Sequence, residues 1–142
     1  MIVKLAWSSQ LDYLEWGKHM HVIRAAEAPR FELHGVEFTG LAAPSRGSAG
    51  LCTWKLTVDP GHGGGEPHTL DRDEVFMVLT GTVQITADGD KLGPGDAVVV
   101  PAGEPIALTN LGEGKAELYI AITAGFTGTM ADGTQIQPPW AQ

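Results

Sequence analysis

From Phe31 onward the chain alternates apolar and polar residues over short stretches, the two-residue period of strands with one buried face. Leu51–Val58 is the clearest case, with Cys52, Trp54, Leu56 and Val58 on one side and Thr53, Lys55 and Thr57 on the other. The same reasoning predicts strands at 36–42, 75–80, 82–87, 97–100, 106–110 and 116–123. Turn chemistry separates them. Asp88-Gly89 suits a two-residue hairpin with positive φ at both corners. Pro94-Gly95 suits a type II turn, Pro fixing φ at the first corner and Gly supplying positive φ at the second. Pro101-Ala102-Gly103 reads as a further tight turn. Many short strands at this spacing predict an all-β sandwich or barrel, and no internal repeat is evident.

The ends of the chain differ from this pattern. Residues 1–19 carry two of the four tryptophans and none of the later Gly/Pro punctuation except Gly17. Met20 is a second plausible start, and His19-Met20 is what the codons CAT-ATG at a common cloning junction encode. Residues 1–19 are therefore read as a vector-derived or mis-assigned extension, or, if native, as one more strand from Ile2 to Trp7. The barrel is expected over 20–124. Residues 125–142 form a tail poor in strand pattern, either draped over the barrel or reaching a partner, or else loosely held.

Composition narrows the function classes. The 142 residues fit one domain, and Gly at 19 with Pro at 9 agrees with a turn-rich β protein. A formal charge of −8 with no run of Lys or Arg lacks the electrostatic footprint of a nucleic-acid binder, and it disfavours an anionic membrane surface. No stretch has the length of a membrane-spanning helix and none resembles a signal peptide, so a cytoplasmic location is expected by default. Cys52, the only cysteine, has no intramolecular disulfide partner and lies in an apolar strand, which predicts a buried inert thiol.

Two stretches carry a resemblance. The first runs from Gly61-His62 through His68, Leu70 and Glu74 to Gly81; the second places Gly95, Pro101, Gly103, Ile106 and Asn110 in register. Together they resemble the paired signatures of the cupin family, in which a Gly…His-x-His…Glu…Gly motif precedes a Gly…Pro-x-Gly…His…Asn motif. The likeness covers about Val58 to Thr123. It implies a one-domain jelly-roll-like antiparallel barrel, the cupin double-stranded β-helix. In the family, three His and one Glu hold a divalent metal such as Fe, Mn, Ni or Zn. Here Leu70 and Ile106 replace two of those His, and His62 replaces the opening Gly. Two ligands, His68 and Glu74, fall short of the three protein ligands of a catalytic zinc site or a non-haem iron triad. His62 is the one candidate third ligand, since Gly63-Gly64-Gly65 could let the backbone bend inward, though a solvated loop histidine fits equally. His34 is read as structural or exposed.

The resemblance implies two functions. The first is a metal-dependent enzyme of the oxygenase, isomerase or cyclase type, with His62, His68 and Glu74 as ligands and His68 and Glu74 as the catalytic pair. The second is a metal-free small-molecule-binding module. On strands, residues two apart share a face, so Phe76 and Val78 follow Glu74 inward and His68 and Leu70 face Ile106. With Glu66 and Asn110 they would line a mainly apolar cavity with one polar corner. The resemblance also implies a homodimer, formed by an edge strand or the N-terminal segment.

Overall fold

A computed structural model describes residues 20–142; the N-terminal extension and the strand expected at Ile2–Trp7 lie outside the described residues. Eleven strands follow in order among them: β1 Arg30–Leu33, β2 Val36–Gly40, β3 Leu51–Val58, β4 Thr69–Leu70, β5 Glu74–Thr80, β6 Val83–Gln84, β7 Ala97–Val100, β8 Thr109–Asn110, β9 Ala116–Thr123, β10 Gly128–Thr129 and β11 Gln135–Ile136. Two single-turn 3-10 segments, Pro44–Arg46 and Pro139–Ala141, are the helical elements described. The all-β expectation holds.

One wall is a six-stranded antiparallel sheet ordered β1-β2-β3-β9-β5-β7. The other is made of two small sheets, β11-β10-β4 and β6-β8, tied together by a bridge between His68 and Ile106. The period of two predicted for Leu51–Val58 is what the sheet shows: Cys52, Trp54, Leu56 and Val58 are buried and the alternate residues are not. In β9, Ala116, Leu118, Ile120 and Ile122 do the same, and in β5 Glu74, Phe76 and Val78. These inward residues meet Leu70, Val83, Ile85, Ile106, Leu108 and Phe126 from the second wall in a single core. The outer face of β5, β7 and β9 leaves Met77, Leu79, Val99 and Tyr119 exposed.

The expected turns divide. Gly95 has φ +88° and Gly103 φ +84°, with Asp96 N–H donating to Gly93 O and Glu104 N–H to Pro101 O, so both are tight turns of the expected kind. Asp88-Gly89 is corrected. Neither residue has positive φ, and the turn runs from Thr86 to Gly89 with Gly89 N–H donating to Thr86 O at 3.1 Å. The site is crowded, since a Cβ on Gly89 would stand 2.8 Å from Thr86 Oγ1 and 3.3 Å from Thr86 O. Starting the turn at Thr86 also shortens the strand predicted at 82–87 to β6. The predicted strand 106–110 shrinks to β8, with Ile106 held by the isolated bridge to His68. The hairpin with two positive φ values is instead His34-Gly35, at 49° and 84°, joining β1 to β2.

The tail packs on the barrel. Residues 128–129 pair with β4, and the segment Pro139–Ala141 lies on the inner side of β2 and β3. Trp140 stacks on Phe38 with ring centroids 3.8 Å apart and meets Trp54 edge-on at 6.4 Å. Arg46 Nη2 donates to Trp140 O at 2.7 Å, and Cys52 Sγ donates to Ala141 O at 3.4 Å. This segment seals the β2–β3 flank of the sandwich.

Candidate functional site

Glu74 opens β5 and points into the core. Across the sheet it stands beside Ile122 on one side and Val100 on the other, with Cys52 beyond Ile122. The turn before it is pinned from several directions. Asp71 Oδ1 accepts from Thr127 N–H at 2.8 Å, Asp73 Oδ1 accepts from Ala102 N–H at 3.0 Å, and Arg72 Nη1 donates to Ala124 O at 2.7 Å. Charged residues thus fix the corner, and the strand period turns the next carboxyl inward. Glu74 is 4% exposed, and its Oε2 is buried with no hydrogen-bond partner among the described residues. Burial pushes its carboxyl up to about 8, because ionised oxygens lose water there and gain no compensating donor. At neutral pH it is a protonated acid, able to donate through its O–H.

His68 lies on the opposite wall, half-buried, exchanging backbone hydrogen bonds of 3.1 and 2.8 Å with Ile106. Burial lowers its pKa, so it is a neutral imidazole. No hydrogen bond joins it to Glu74 among the described residues. Leu70, Phe76, Val78 and Ile106 do face inward as expected, but all are packed core, Ile106 at 2% exposure. Leu70 and Ile106 thus present aliphatic side chains where the family pattern has its ligand histidines. Glu66 is corrected too: it is exposed on the glycine-rich loop rather than sharing the interior.

Asn110 is not a pocket residue. Its Nδ2 donates to Val58 O at 3.1 Å, Asp59 O at 3.1 Å and Gly114 O at 2.9 Å, while Oδ1 accepts from Gly112 N–H at 2.9 Å. Every contact is to main chain, so the side chain clamps loop 111–115 to the end of β3. Asn110→Ala is expected to cost about 2–3 kcal/mol, since it removes all four main-chain hydrogen bonds of this clamp, and Asn110→Asp nearly as much. Urea unfolding reads both.

His62 sits elsewhere. Its Nδ1 comes within 3.9 Å of where a Cβ on Gly35 would stand, beside the β1–β2 hairpin, and its backbone O accepts from Asn110 N–H at 3.0 Å. Gly35 adjoins Val36, which pairs with Val58; Glu74 is level with Cys52, six residues away along β3. At about 3.4 Å per residue the two ends lie roughly 20 Å apart. The triglycine bends the loop outward along β8, with Gly63 bridged to Thr109.

A family model of the cupin domain matches residues 54–122. Residues 54–122 form a cupin domain. Its fold is similar to a sugar phosphate isomerase of the cupin superfamily from Silicibacter pomeroyi, at 19% identity and TM-score 0.63 over 78% of this chain and 82% of that one. It is also similar to the polyketide cyclase RemF from Streptomyces resistomycificus, at 17% identity and TM-score 0.64 over 73% and 79%. KdgF from Halomonas sp. is similar at 22% identity and TM-score 0.59 over 69% and 87%. No curated protein sequence matches. Identities this low show the fold alone.

The metal that the cupin family implies does not fit this cupin's donors. Among the described residues no three His, Cys, Asp or Glu side chains converge on a common point. Leu70 and Ile106 offer none of the donors such an ion needs, and His62 lies at the far end of the sheet. Among the described residues the three expected ligands His62, His68 and Glu74 do not gather into one donor set for an Fe, Mn, Ni or Zn ion. Among the described residues no helix is long and apolar enough to cross a membrane.

Sequence reasoning missed a groove of about 470 Å³ along the free side of β7. Its signal was the run Val98-Val99-Val100, whose alternate members have to face either side of an edge strand.

Proposed function

We propose that this cupin is a metal-independent small-molecule-binding protein in which the protonated Glu74 carboxyl donates a hydrogen bond to its ligand. The observation that carries the reading is the buried, unpartnered Glu74 Oε2. An unsatisfied polar atom costs roughly 1–3 kcal/mol when buried, so a chain that retains one stores binding energy for a molecule that satisfies it. Its surroundings are Ile122, Val100 and Phe76, so the complement is a neutral compound with an acceptor such as a carbonyl oxygen. The low dielectric there strengthens such a bond.

A second reading takes the same carboxyl as a general acid. A neutral, half-buried His68 is the observation that favours it, since an imidazole free of charge can accept a proton while Glu74 supplies one. Isomerase- and cyclase-named proteins among the structural relatives are consistent with that chemistry.

Metal content and ligand response test the proposal together. Elemental analysis after incubation with Fe, Mn, Ni or Zn is expected to find far less than one equivalent. Neutral carbonyl compounds that raise the melting temperature of the native protein are expected to leave Glu74→Leu unshifted. One equivalent of metal, lost in His68→Ala, would overturn the metal-independent reading, and equal shifts in both proteins would remove Glu74 from the site.

A further inference from the structure

The two flanks of the sandwich are closed differently. The β2–β3 flank is sealed by the segment Pro139–Ala141, whereas on the other side β7 is an edge strand. Between β7 and the residues around the Thr86–Gly89 turn runs the groove of about 470 Å³, within the size range of small-molecule sites. Ile85, Leu92, Val98, Val100 and Pro105 give it apolar walls, and Thr86 adds one hydroxyl. Asp90 and Glu104, both exposed, stand on its rim, and among the described residues no lysine or arginine lines it. Val100 is the direct partner of Glu74 in the β5–β7 register and Val98 that of Phe76. Cross-strand partners lie about 5 Å apart at Cα. The inner wall of the groove is therefore one side chain away from the unpartnered carboxyl.

We propose that this groove is the binding cleft for the Glu74 ligand, that Val100 is the gate between them, and that the ligand is an elongated, uncharged apolar molecule ending in a carbonyl oxygen. This rests on the reading of Glu74 as hydrogen-bond donor. Length follows from the geometry: the apolar body lies against Ile85, Leu92 and Pro105 while the carbonyl end passes Val100 to reach the carboxyl. The ligand's charge follows from the rim, where two carboxylates on a chain of net charge −8 repel anions. Phosphorylated sugars and carboxylic acids are thus disfavoured as occupants.

The test uses two fluorescent probes on the full chain: Nile red, neutral and carbonyl-bearing, and anilinonaphthalene sulfonate, an anion. Nile red is expected to bind saturably at one site, and at least about tenfold more weakly to Thr86→Trp, whose indole fills the groove. It is also expected to weaken about fivefold or more in Glu74→Leu. The anion is expected to bind poorly to the native protein and to gain about tenfold in the double variant Asp90→Lys/Glu104→Lys, whose exposed positions leave the fold intact. Unchanged Nile red binding in Thr86→Trp overturns the cleft. Loss in Thr86→Trp with full binding in Glu74→Leu keeps the cleft but overturns its link to Glu74, and with it the donor reading. Displacement of Nile red by a short peptide of alternating lysine and valine, with new amide protection at Ala97–Val100, would make the groove a strand-docking edge and overturn the small-molecule ligand.

Discussion

Raising the pH from about 5 to about 9 is expected to lower the melting temperature of the native protein by roughly 10 °C or more, and to spare Glu74→Gln this loss. The cause is the carboxyl held at about 8 inside the barrel against an ordinary value of 4.5. Below 4.5 the folded and unfolded chains both keep the proton, so the contribution is complete. Between 4.5 and 8 the unfolded chain releases it while the folded chain retains it, and each step of rising pH favours unfolding. Above 8 the folded form must ionise a desolvated group or open, and the curve flattens. The contribution lost across this window is on the order of 4–5 kcal/mol. His68 acts in the opposite direction: burial lowers its pKa, so stability is present above 6.5 and lost as pH falls through the lowered value. Glu74→Gln isolates that acid-side loss. Circular dichroism melts across the pH series read both, and parallel profiles for the two proteins would mean that Glu74 is already ionised and hydrated in the fold.

Trp140→Ala is expected to cost about 3–4 kcal/mol in urea unfolding, an effect comparable to losing an aromatic from the middle of a core. The indole stacks on Phe38 at 3.8 Å, meets Trp54 at 6.4 Å and lies 6.1 Å from Phe31, so one residue from the end of the chain joins three strands. The Arg46 hydrogen bond goes to the Trp140 main-chain oxygen and survives the substitution, which keeps the test on the ring. Trp140→Phe separates packing from polarity. It keeps an aromatic face against Phe38 and removes Nε1, which is buried without a partner. Its cost is expected below about 1 kcal/mol, because relieving an orphaned donor offsets the lost area. A cost under about 1 kcal/mol for Trp140→Ala would mean that the tail is not anchored through this ring.

What could be read in advance follows from which interactions are local. The inward parity of Glu74, Phe76 and Val78 is a property of any strand, and the turns at Gly95 and Gly103 answer to φ alone, so the sequence reveals both. The signature Gly81 persists for a related reason: φ is +90° and a Cβ would stand 2.8 Å from that of Ala116. The errors fall where a side chain's role depends on what lies across space. His62 is close to His68 in sequence, yet the loop carrying it follows β8 to the other end of the sheet. Asn110 resembles a pocket residue only until its four backbone partners are counted. Asp88-Gly89 matches a hairpin pair, but the turn closes one step earlier on Thr86. The tail shows no strand pattern because its strands β10 and β11 are two residues each, too short for a period, and its last turn docks through the stacked Trp140.

The sealed flank bears on redox chemistry. Cys52 is the chain's only thiol, fully buried and covered by Ala141, with burial raising its pKa more than the Arg46 charge lowers it. It is a poor nucleophile as long as the last turn stays docked. The segment that seals the flank is therefore also what keeps the chain's one thiol away from oxidants and alkylating agents.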